Sequence, residues 1–138
     1  MRVTGPESDD KKVAERIVSE VQQIILEAWT PEEIAKVVNQ DLDGMEQSVQ
    51  KLLRLAGGRL METLIDVGVV RHEGPAPVCP HCKRPMRLVD RRRKRQMHGL
   101  VGDFSFTRPY FHCRACGGGL ASDDDRLGVG AGSYTPAP

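Results

Sequence analysis

A chain of 138 residues, 39% apolar and 28% charged, has room for one ordinary domain or two small ones and the composition of a soluble protein. No apolar run approaches the roughly 20 residues that span a bilayer, and the N-terminal MRVTGPESDDKK lacks the apolar core of a secretory signal, so a cytoplasmic protein is expected. The net charge of +1 conceals a split: residues 1–78 carry −5, residues 79–116 carry +8 and the remainder −2, the pattern of two modules with different partners.

The first half reads as helices. Val13, Ile17, Val21, Ile24 and Ala28 recur at helical spacing and predict an amphipathic helix over 9–28. Thr30-Pro31-Glu32-Glu33 has a capping residue, a first-turn proline and the Glu of a capping box, which start a second helix that ends near Gln40. Met45, Val49, Leu52, Leu53, Ala56, Leu60 and Leu64 trace one face of a third, from about Asp43 to Asp66. Gly57-Gly58 falls inside it, at about 1 kcal/mol per glycine relative to alanine, so either the helix breaks there or another element packs close. The three apolar stripes are expected to cover one another in a small bundle, and the small core leaves self-association through the helices open. Two prolines and a glycine in residues 72–78 mark a linker.

The only cysteines, Cys79, Cys82, Cys113 and Cys116, form two CxxC pairs with none left over. A reducing cytosol disfavours structural disulfides. Tetrahedral zinc takes four thiolates, two from each CxxC knuckle, and a closed shell of this kind is structural rather than catalytic. A thioredoxin-like site needs one CxxC at a helix start within an α/β pattern, and none is visible. A rubredoxin-type iron site uses the same four thiolates; rubredoxins are acidic and this module is basic, which favours zinc. The 30 residues from Lys83 to His112 exceed the commonest ribbon spacing of about 15–20 and imply long strands or an extra loop between the knuckles. His81 and His112 adjoin knuckle cysteines and are read as shielding or hydrogen-bonding groups.

Residues 86–95 read as a strand entering a basic turn, and 100–112 as the returning strand, with Phe104, Phe106, Arg108 and Tyr110 on one face. Gly99 and Gly102 allow a turn or bulge between the strands, and the hairpin is expected to present Arg91, Arg92, Arg93, Lys94 and Arg95 near its tip. Cations beside a metal centre stabilise thiolates, and Lys83, Arg84 and Arg114 are near enough in sequence to do so. One metal does not require the RRRKR run as well. The counterpart of that run is a polyanion, because each Lys or Arg on a phosphate releases counterions. DNA is the expected partner, with Arg84, Arg87 and Arg108 as weaker contacts.

Three stretches together, CPHC at 79–82, G-x-F-x-F-x-R-P-Y-F-x-C-x-x-C from Gly102 to Cys116, and D-x-x-L-G from Asp124 to Gly128, resemble the front part of DDE-type insertion-sequence transposases, the ISKra type above all, with the ISLre type similar. Glu46, Gly57 or Gly58, and Leu64 look like the spaced E…G…L of that family's helical segment. The resemblance covers most of residues 40–135. It implies transposition of a DNA element by an integrase-like nuclease, downstream of the zinc module, whose carboxylates hold Mg²⁺. Asp123, Asp124 and Asp125 match the family's Asp after the ribbon rather than its catalytic carboxylates, although S-D-D-D replaces the usual Pro-Leu-Asp run. The expectation is an α+β chain: a small helical bundle over 1–71, a linker over 72–78, a four-cysteine zinc-ribbon β-hairpin module over 79–120 and a flexible tail over 121–138. It would be the DNA-binding, nucleoid-associated N-terminal part of a transposase, truncated before the nuclease and not itself an enzyme. A stand-alone zinc-ribbon regulator that binds nucleic acid is the alternative, ahead of an iron electron-transfer protein.

Overall fold

The computed structural model describes residues 6–130, 132 and 133. The architecture is α+β: α1 (Pro6–Ala28), α2 (Pro31–Val38), α3 (Leu42–Arg71), β1 (Arg87–Gly99), β2 (Gly102–His112), β3 (Gly119–Leu120) and α4 (Ser122–Leu127). The chain divides into two compact units. One holds the described residues through Thr63 together with Val101–Asp103, and the other holds the rest. No helix among the described residues is long and apolar enough to cross a membrane.

In the first unit, α1 buries Ile24 and half-buries Val13, Ile17, Val21 and Ala28, the face its periodicity predicts. Thr30 caps α2: its Oγ1 accepts the Glu33 N–H at 3.3 Å, with Pro31 in the first turn. Asn39 closes that helix, its side-chain amide donating to the Ala35 carbonyl at 2.7 Å. Asp41 opens α3 by accepting the Gly44 N–H at 2.8 Å, so donors orphaned at both helix starts are satisfied locally. The helix runs unbroken through Gly57-Gly58. Close packing is the reason for the glycine: a Cβ on Gly57 would overlap the Val101 carbonyl, and one on Gly102, whose φ is +136°, would overlap the Arg54 carbonyl. Two backbones meet here because neither carries a side chain at the contact. Thr63 is 2% exposed and donates to Glu20 at 2.6 Å. The stripe expected to be the inner face of α3 is only partly covered, because Val49 and Leu53 remain exposed, as do Leu26 and Leu42.

In the second unit α3 continues past its expected end at Asp66 to Arg71, since Val67, Val69 and Val70 extend its apolar side and the first breaker is Gly74-Pro75. The sheet has the order β1-β2-β3. The connection Leu100-Val101 is too short for a crossover, so β1 and β2 form an antiparallel hairpin. β3 pairs antiparallel with β2 through Phe111–Leu120 and His112–Gly119. The RRRKR run is not at the tip. It lies within β1, and the chain reverses beyond it, between Gly99 and Gly102. The glycines, and not the charges, set the turn. Along β2, Phe104, Phe106 and Arg108 are buried in alternation, as a strand's period of two requires. The chain after residue 121, expected to be flexible, begins with α4, which ends at Gly128 in the left-handed conformation with φ +69°. Residues 131 and 134–138 of that tail lie outside the described residues.

Candidate metal centre and basic hairpin

Two short turns bring the four thiols together, and they are built alike. In the first, the Lys83 N–H donates to the Cys79 carbonyl at 2.9 Å and the Cys79 N–H to the Arg84 carbonyl at 2.9 Å. In the second, Gly117 donates to Cys113 and Cys113 to Gly118, again at 2.9 Å each. The residue after the second cysteine of each pair is left-handed, with φ +61° at Lys83 and +76° at Gly117. Glycine takes this conformation readily, whereas lysine bears a steric cost. β2 leads into Cys113 and β3 returns beside it. Val78 pairs with Pro85 across the first turn. The hairpin thus carries both turns at one end.

The four Sγ atoms all lie within 4.8 Å of one another, with Cys79 and Cys116 3.3 Å apart and Cys82 and Cys113 3.4 Å apart. A disulfide needs about 2.05 Å. A tetrahedral zinc with Zn–S bonds of about 2.3 Å places sulfurs about 3.8 Å apart, within the range seen here. Cys79 and Cys113 are each 1% exposed and pack with Met86 and Phe111, flanked by Leu88 and Leu120. The backbone is aimed at the sulfurs in the same way in both turns. The Cys82 and His81 N–H groups pull the Cys79 thiol down to about 6. Those of Cys116, chiefly, and Ala115 help hold Cys113 below its ordinary value. For Cys116 the Gly118 N–H acts downward, but the Cys79 and Cys113 sulfurs outweigh it and push the thiol up to about 11. Cys82 behaves likewise: the Arg84 N–H lowers it, and Cys113 and Cys79 raise it further. Four sulfurs this close repel one another once ionised, and a bound cation would offset that repulsion. These residues could hold a metal ion.

The expected basic residues separate into two groups. Arg108, 7% exposed, is internal: its Nε and Nη2 donate to the two oxygens of Asp124 at 2.9 and 3.1 Å, and its Nη1 to the Arg93 carbonyl at 3.0 Å. Arg95 joins the same carboxylate at 3.0 Å and also donates to the carbonyls of Gly130 and Gly132. Asp124 on α4 therefore pairs with two arginines, offsetting one of their two charges, and ties α4 to the sheet. Neither arginine is available as a surface cation, contrary to expectation, because a carboxylate of the same chain already occupies its fork. Arg93 lies 3.8 Å over the ring of Tyr110. Arg84, Arg87, Arg91, Arg92 and Lys94 are exposed, and no acidic side chain among the described residues pairs with them. His81 is exposed and His112 half-buried; neither is part of the four-sulfur cluster.

Sequence reasoning misses the role of Asp124. Its signal is present, since R-P-Y-F and D-x-x-L-G stand out as separate motifs, and the structure makes them the two ends of one ion pair. Fold and site together define a class: an α+β protein with a four-thiol centre at the base of a basic hairpin. The chain matches no family model, no curated protein and no solved structure.

Proposed function

We propose that the chain is a DNA-binding protein whose basic hairpin is held in shape by one structural zinc ion on Cys79, Cys82, Cys113 and Cys116. The observation that carries the reading is a strand with exposed Arg87, Arg91, Arg92 and Lys94, with which no acidic side chain among the described residues pairs, anchored at its base by four clustered sulfurs. Four thiolates favour zinc or an iron centre over harder cations, and the basic surroundings favour zinc with a polyanion partner over electron transfer. Rigid display of the cations matters, because a preorganised side chain loses less entropy when it meets a phosphate. The resemblance carried by Gly102–Cys116 and Asp124–Gly128 points further, to the part of an insertion-sequence transposase that grips element ends, acting in the cytoplasm on the nucleoid. Phosphate contacts position a protein but read little sequence, so end recognition would need further contacts.

Titration of a labelled duplex at several salt concentrations tests the reading. Replacing Arg91, Arg92 and Lys94 by glutamine should weaken binding to all sequences alike and reduce the salt slope by about 0.9 for each phosphate that is no longer neutralised. Parent-like affinity with an unchanged slope would reduce the run to a solvated surface. Preference for a duplex from flanking terminal inverted repeats over a scrambled one separates the transposase reading from a general zinc-ribbon regulator.

A further inference from the structure

The second unit contains a cleft of about 320 Å³ whose walls come from both sides of the metal centre: Arg84, Met86 and Arg87 from one, His112, Cys113 and Arg114 from the other. Met86, 5% exposed, and Cys113 are buried residues at its base, whereas Arg84, Arg87 and Arg114 are exposed. No acidic side chain lines it. We propose that this cleft is a phosphate site, taking a phosphate of the nucleic-acid backbone beside the metal centre. The source of the phosphate rests on the DNA reading above; the chemistry of the site does not.

Two alternative uses of the cations fall short. The first is neutralisation of the thiolates. A tetrathiolate zinc centre carries −2, and Lys83, Arg84, Arg87 and Arg114 outnumber that charge by two. The sulfurs are moreover served by backbone N–H groups of both turns. The second is internal ion pairing of the kind that occupies Arg95 and Arg108. No carboxylate among the described residues reaches Arg84, Arg87 or Arg114. Three arginines lining one cleft beside buried apolar residues suit phosphate, because the guanidinium fork matches its oxygens and low local polarity strengthens the attraction. The volume is at the small end of ligand sites, suited to one phosphate group with its attached sugar rather than a large organic ligand. Arg87 also begins β1, and Arg91 follows it about 13 Å along the strand. A backbone running along β1 would thus pass from Arg91 to Arg87 and end in the cleft.

The test uses the full zinc-loaded chain. Inorganic phosphate, added at fixed ionic strength, should produce saturable amide shifts confined to residues 84–87 and 112–115. Arg84→Gln with Arg114→Gln should abolish them while zinc content, measured by chelator competition, stays at one per chain. Arg87→Gln, outside both knuckle turns, provides a second variant should the double change disturb metal binding. The duplex titration then identifies the source: loss of the cleft should lower the salt slope by about 0.9, one phosphate, with the β1 contribution intact. Saturable phosphate shifts in a chain that binds no duplex would sink the DNA reading and leave a site for free phosphate. Duplex binding unchanged by both cleft variants, with no saturable phosphate shift in the parent, would overturn the site and leave the DNA reading standing on β1.

Discussion

Asp124 shows how much one carboxylate can decide. Arg108 and Arg95 have side chains only 8% and 17% exposed, and both depend on it. Removing the charge but not the shape, as in Asp124→Asn, leaves two partly buried guanidinium groups without a counter-ion. Such a loss costs about 3 kcal/mol or more, and chemical denaturation should show a lower midpoint without separating the four cysteines. Glu20 offers a milder case. The Thr63 hydroxyl, first, and Arg16 hold its carboxyl below the ordinary 4.5. A carboxylate depressed in the folded state contributes stability above its unfolded value and loses it as pH falls through the folded one. Thr63→Val should therefore destabilise by about 1 kcal/mol at neutral pH. The gap between variant and parent should narrow in melts below pH 4.5, and a pH-independent gap would mean that packing, not the hydrogen bond, is responsible.

The hairpin shows what an element requires of its neighbours. Its turn lies at Gly99–Gly102, and the Gly102 backbone is pressed on the Arg54 carbonyl. Gly102→Ala meets two obstacles at once, the positive φ and the close backbone, and should cost more than the roughly 1 kcal/mol of a simple left-handed alanine. Thermal melts of this variant beside Gly74→Ala, where a Cβ meets nothing within 4 Å, would separate a general glycine effect from the specific close approach. Equal melting temperatures would mean that the tip is not held there. Sequence patterns located the two strands, since Phe104, Phe106 and Arg108 do alternate. They misplaced the charged run, because arginine and lysine are compatible with both an exposed strand and a turn, whereas left-handed residues mark reversals more sharply.

For the whole molecule a metal on the four sulfurs would be the main lever. A small unit with little apolar core needs a staple, and structural zinc supplies folding energy directly. The purified chain should carry one zinc, and cobalt in its place should show the absorption of tetrahedral thiolate ligation. Cys113→Ser, or strong chelation, should abolish the ordered sheet while the helical ellipticity from α1 and α2 largely survives. Full retention of β1–β3 amide dispersion without metal would show that Met86, Phe111 and their neighbours hold the hairpin unaided.

Much was determined by the sequence alone, wherever the cause is local. Helical periodicity placed α1, a capping Thr30 and Pro31 started α2, and cysteine spacing selected the four sulfurs, because two CxxC turns with no spare thiol have few other uses. Tertiary structure decided whatever depends on residues distant in the chain. It showed that Gly57 receives the hairpin tip and that β1 carries its charges along its length. It also withdrew Arg95 and Arg108 from the surface by turning a supposed tail into α4. Charge and composition are properties of a segment, but the availability of a cation depends on which carboxylate the fold brings to it. That pairing is set by the closing of the chain on itself, which no local pattern encodes.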